Sequence, residues 1–107
     1  MRQIERNMNR AIRNGANFSS SNTSVVTEDG VSIVRLHGNH IATINKATDS
    51  VVLFDGGWQS NTTKSRLNAL CDEFAYGCRV FQKNWEWFVS TRSATVDFDN
   101  GITLKFN

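Results

Sequence analysis

The stretch Asn61 to Phe88, NTTKSRLNALCDEFAYGCRVFQKNWEWF, constrains the fold more than any other. Leu67, Leu70, Cys71 and Phe74 recur at i, i+3, i+4 and i+7, the spacing of a helix with one apolar stripe. Asn61 or Thr62 is the expected N-cap, because a short polar side chain there can accept from the unpaired N–H groups of the first turn. Lys64 and Arg66 lie in the first turns, away from the stripe, and are expected in solvent. Gly77 ends the segment. Arg79–Val89 then reads as one strand, with Arg79, Phe81, Lys83, Trp85 and Trp87 on one face. A one-sided helix beside an aromatic strand needs a sheet to cover.

The preceding residues supply that sheet. Ser24–Thr27 runs into Asp29-Gly30, a strong signal for a two-residue hairpin. Val31–Leu36 follows, and Gly38-Asn39 offers the positive φ of a tight turn. His40–Asn45 and Val51–Phe54 complete an expected meander of short antiparallel strands. Asp55-Gly56-Gly57 then breaks the sheet before Trp58. At the end of the chain, Thr95–Phe98, Asp99-Asn100-Gly101 and Ile102–Phe106 read as a hairpin.

The N-terminal residues MRQIERNMNRAIRN read as an amphipathic helix stopped by Gly15. Ile4, Met8, Ala11 and Ile12 fall on one side, and Arg2, Arg6, Arg10 and Arg13 on the other. Residues 16–24 form a polar connector, expected to be mobile and pinned to the core by Phe18. The expected fold is therefore α+β. An N-terminal amphipathic helix, an antiparallel meander of about six to seven strands, one helix packed on the sheet and a C-terminal hairpin make a single domain over residues 1–107. Mobility is expected in the N-terminal helix (1–15) as well as in the connector.

Composition excludes several function classes. Hydrophobic residues make up 39% and charged residues 21%, an ordinary globular balance. The net charge of +2 is too small to imply nucleic acid by itself. No run is apolar and long enough to span a membrane, and no signal peptide is read. Cys71 and Cys78 fit free thiols in a reducing compartment, with a disulfide between helix and strand as the alternative. His37 and His40 flank a turn, and with the two cysteines they lack the spacing of a structural zinc site. Both histidines are expected in water. No GxSxG, HExxH or P-loop pattern occurs, and Cys71 sits on an apolar stripe, a poor place for a thiolate nucleophile. Neither a catalytic centre, a metal nor a cofactor is expected.

Three blocks carry a resemblance: LHGNHIA (Leu36–Ala42), GWQSNTTKSRLNALCDEF (Gly57–Phe74) and RVFQKNWEWFV (Arg79–Val89). With the opening RQIERNMNRAIRNG and the connector segment NTSV, they resemble a family of small tailed-bacteriophage accessory proteins. The resemblance covers most of the chain. It implies an accessory protein made in the cytoplasm of an infected bacterial host, of a kind that commonly binds nucleic acid or redirects a host protein.

The leading expectation is nucleic-acid binding. Arg2, Arg6, Arg10, Arg13, Lys64, Arg66 and Lys83 would meet phosphate if they align on one side, and Trp58 would stack on a base. The alternative is a module that binds a host protein through the Arg-striped helix or a free sheet edge. No membrane partner is expected; a homodimer across a sheet edge is compatible with the sequence.

Overall fold

A computed structural model describes residues 1–105 of the chain. Phe106, assigned above to the last strand, lies outside the described residues. Helix α1 (Gln3–Asn14) opens the chain. It is followed by β1 (Phe18–Ser20), β2 (Thr23–Glu28), β3 (Val31–Leu36), β4 (Asn39–Asn45) and β5 (Ser50–Leu53). Helix α2 (Asn61–Phe74) comes next, then β6 (Arg79–Lys83), β7 (Glu86–Ser90), β8 (Thr95–Asp97) and β9 (Ile102–Lys105). The expected α+β class holds, with the two helices and the antiparallel meander in place.

The strands form two sheets. Six lie in the order β1-β2-β3-β4-β5-β9 and three in the order β6-β7-β8, all antiparallel. One face of the large sheet carries Val25, Val34, Ile44, Val51 and Leu104, all buried. Met8 and Ile12 from α1 and Leu67, Leu70, Cys71 and Phe74 from α2 join them in one continuous core. The α2 stripe is the one expected from the spacing; on α1, Met8, Ala11 and Ile12 are buried as expected, but Ile4 is only half-buried and Glu5 and Asn9 are buried in its place.

Four local readings are corrected. The connector is not irregular: Phe18–Ser20 pairs with Thr23–Val25, and Asn17 Oδ1 accepts from the Thr27 backbone N–H. Ser60, not Asn61 or Thr62, caps α2, its Oγ accepting from the Thr63 N–H at 3.1 Å. Arg79–Val89 is two strands, because the chain reverses at Asn84-Trp85. The C-terminal turn forms, but the strands it joins part company, β8 pairing with β7 and β9 with β5. Phe98 explains the divergence. Its ring packs edge-on against Trp87 and holds β8 to the small sheet, while the Gly101 N–H donates to Leu53 O and hands the chain to the large one.

The two helices meet along a polar seam. Glu5 faces Ser65 and Arg66, Asn9 Nδ2 donates to Ala69 O at 3.0 Å, and Arg13 pairs with Glu73 at 2.8 Å. The contacts advance by one turn on both helices in the same direction, so α1 and α2 run parallel. Arg66 is only 3% exposed, which corrects the expectation that it faces solvent. Its three nitrogens reach three partners: NH1 donates to Glu5 Oε2 (2.8 Å), Nε to Thr23 Oγ1 (3.0 Å) and NH2 to Asn22 Oδ1 (3.2 Å). Glu5 also accepts from Ser65 Oγ at 2.6 Å and, on its other oxygen, from the Arg2 backbone N–H at 3.1 Å. The network ties α1, α2 and the β1–β2 turn together.

Burial by itself pushes the Glu5 carboxyl up, but the Ser65 hydroxyl, the Arg2 N–H and Arg66 outweigh it and hold the group below its ordinary 4.5. A depressed folded-state pKa contributes stability above the unfolded value, and that contribution is lost as pH falls through the folded value. Acidification below 4.5 is therefore expected to weaken the fold through Glu5. Urea midpoints measured between about pH 6 and pH 3 should fall more steeply for wild type than for Glu5→Gln.

Candidate interaction surface

The cations expected to align fall into separate settings. Arg2, at the N-cap of α1, and Arg6 and Arg10 on the helix are exposed. Arg13 is engaged with Glu73. Arg66 is buried in the ion pair with Glu5 and cannot reach phosphate without opening the network. Lys64 is half-buried and lines a cleft of about 360 Å³ with Asn61, Asn68, Asp72 and Arg79. Lys83 stands on the small sheet.

Trp58 is 75% exposed beside a cleft of about 450 Å³ lined by Leu36, His37, Asn39, Ile41 and Asp55. Its backbone is fixed: the Ser60 N–H and Thr63 Oγ1 both donate to Trp58 O. The loop lies close on β4, where a Cβ on Gly56 would stand 3.1 Å from the Ile41 side chain. Asp55 supplies the carboxylate of this cleft, and no lysine or arginine lines it.

The small sheet presents a different surface. Register places Arg79, Phe81 and Lys83 of β6 beside Ser90, Phe88 and Glu86 of β7 on the outer face. Asp97 of β8 joins them opposite Phe88. The inner face carries Val80, Trp87 and Val89 into the core. The two-residue turn shifts the outward parity from odd to even numbers, so Trp87 leaves the face it was expected to share with Phe81. Phe81 and Phe88 stack with centroids 5.7 Å apart and planes at 28°. The two rings pack on each other across the strands. Trp85 stands at the hairpin tip, 91% exposed.

This sheet is fastened to α2 by a side-chain amide. Asn68 Nδ2 donates to Val80 O at 2.9 Å, and its Oδ1 accepts from the Val80 N–H at 2.8 Å. Asn68 thus pairs with the β6 edge as a neighbouring strand would, and leaves those two backbone groups satisfied.

The residues weighed for chemistry sit elsewhere. Cys71 is buried, and burial pushes its thiol up to about 12, far from a reactive thiolate. Cys71 and Cys78 are both free thiols. His37 is exposed at a turn, but His40 is half-buried, its Nε2 lying 2.7 Å from Thr43 Oγ1 and its ring against Phe54. That corrects the expectation of two histidines in water. Among the described residues, no three His, Cys, Asp or Glu side chains gather as a metal site would require. No helix of the described residues is long and apolar enough to cross a membrane.

Sequence reasoning missed the hairpin tip and the role of Glu5. Two signals pointed to the tip. A strand over Arg79–Val89 would exceed the usual length, and Asn84 tolerates left-handed backbone between the opposite charges Lys83 and Glu86.

A small α+β domain with paired helices over an antiparallel sheet, and an aromatic three-stranded flap, is the class these features define. The chain belongs to the Kyanoviridae Gp96 protein family, a phage protein family whose model matches residues 1–105. The resemblance to small tailed-phage proteins is thereby borne out. No curated protein and no solved structure matches the chain.

Asn68→Ala is expected to free the β6 edge and lower stability by about 1–3 kcal/mol, since two backbone groups lose their partners. Chemical denaturation measures that loss. Hydrogen exchange should show it as faster exchange at the Val80 amide.

Proposed function

We propose that this phage protein is a non-enzymatic binding module that engages a host protein in the infected cell through the outer face of its small sheet. The observation that carries the proposal is the composition of that face. A half-buried Phe81–Phe88 pair is surrounded by two cations, Arg79 and Lys83, and two carboxylates, Glu86 and Asp97. An aromatic centre with a polar, mixed-charge rim is the anatomy of a protein interface. A nucleic-acid footprint needs net positive charge to release counterions, and here the two signs cancel.

Nucleic-acid binding retains one supporting feature, the exposed trio of Arg2 at the N-cap of α1 and Arg6 and Arg10 on the helix. The two readings separate experimentally. Host lysate is passed over immobilised wild type, Arg79→Ser with Lys83→Ser, and Arg6→Glu with Arg10→Glu. Low-salt gel shifts use single- and double-stranded DNA and RNA. The expected result is a retained protein that survives nuclease treatment, is lost with the sheet variant and persists with the helix variant. Retardation of nucleic acid that fades with salt and is lost with the helix variant would overturn the proposal.

A further inference from the structure

Among the described residues four hairpins turn through two residues; at Ser21-Asn22 only the first has positive φ, and the other three are Asp29-Gly30, His37-Gly38 and Asn84-Trp85. In each of those three, both central residues have positive φ, at 51° and 78°, 53° and 79°, and 52° and 68°. That pattern is the type I′ turn, whose twist matches the flanking strands. Its second position favours glycine, because a Cβ in left-handed backbone crowds the following carbonyl. Two of the turns have glycine there. The third has tryptophan, the bulkiest side chain in the chain's repertoire.

Packing among the described residues does little to offset that strain. The Trp85 side chain is 91% exposed, so it gains almost no packing. One residue therefore combines a strained backbone with an exposed indole, and glycine would relieve both liabilities. Strain held at a fixed position without a folding benefit points to a role outside folding.

Resting on the protein-binding reading above, we infer that Trp85 is the anchor by which the small sheet docks into an apolar pocket of indole size on a folded partner protein. A hairpin tip is convex, so its complement is concave. The tight turn fixes the backbone that carries the indole, so only its two side-chain torsions remain to be ordered on binding. Lys83 and Glu86 flank the tip and face each other across the strands. A pocket rim complementary to them is charge-balanced, so the association depends little on salt. The indole N–H requires an acceptor once buried, which places a carbonyl or carboxylate at that rim. A single stranded base would find one cation and one carboxylate at the tip. A lipid surface would receive a lone indole with Glu86 beside it. Neither is a match of comparable quality.

The test uses the full chain carrying a photoreactive benzophenone side chain at position 85, or at position 49 as a control tip, in infected host cells. The protein crosslinked at 85 and not at 49 is identified, purified and titrated with wild type, Trp85→Gly, Trp85→Phe, and Arg79→Ser with Lys83→Ser. Trp85→Gly is expected to melt about 4 °C or more above wild type and to bind roughly 30-fold or more weakly. Trp85→Phe should retain part of the affinity. Unchanged binding by Trp85→Gly with loss in the Arg79/Lys83 variant would overturn the anchor and leave the interface reading standing. Unchanged binding by both would overturn both. A Trp85→Gly protein no more stable than wild type would overturn the strain argument. Nucleic acid as the crosslinked species would also overturn the inference, as would a Trp85-dependent blue shift on anionic phospholipid vesicles.

Discussion

Removing a guanidinium and a carboxylate from water costs roughly several kcal/mol per ion, so a buried pair persists only where its geometry and hydrogen bonds offset that penalty. The Glu5–Arg66 pair meets the condition. Arg66 donates through three nitrogens to Glu5, Thr23 and Asn22, while Glu5 accepts from Ser65 and the Arg2 backbone as well. These partners belong to α1, α2 and the β1–β2 turn, so the network fixes their mutual register as apolar contact alone would not. With the helices held parallel, Met8 and Ile12 meet Leu67, Leu70 and Cys71 over one face of the large sheet.

The same network decides which charges remain for function. Arg66 and Arg13, both candidates for phosphate contact, are engaged across the helix seam. Outside the core lie the exposed side of α1, the Trp58 loop, the outer face of the large sheet around Val26, Val31, Ile33 and Arg35, and the outer face of the small sheet. The last stacks two phenylalanine rings, Phe81 and Phe88, between charges of both signs. Asn68 fixes its edge strand to α2, so that surface is carried by the same helix that carries Arg66.

Local periodicity made much of the fold legible. The stripe at Leu67, Leu70, Cys71 and Phe74, the Asp29-Gly30 hairpin and the stop at Gly15 depend on neighbours in sequence, and the structure has all three. Long-range pairing accounts for the failures. Arg66 looked exposed because its partners lie far away, at Glu5 and at Asn22-Thr23. The connector looked irregular because Phe18–Ser20 gains its order only from β2. The Asn84-Trp85 turn was hidden because tryptophan stands where a turn of that type calls for glycine. Alternation carried across it misassigned Trp87, and the tip residue most exposed to solvent was read as part of a strand face. Family membership adds phage origin to this picture; the candidate site rests on the residues themselves.

The central claim is that Glu5 and Arg66 act as one buried unit clamping the two helices. A double-mutant cycle with Glu5→Gln, Arg66→Met and the combination, followed by urea denaturation near neutral pH, tests it most directly. Each single variant should lose about 3–5 kcal/mol by stranding the other charge. The double variant should lose clearly less than the sum, with a coupling of about 1 kcal/mol or more. Losses that add to within about 0.5 kcal/mol would show two independent side chains and contradict the account.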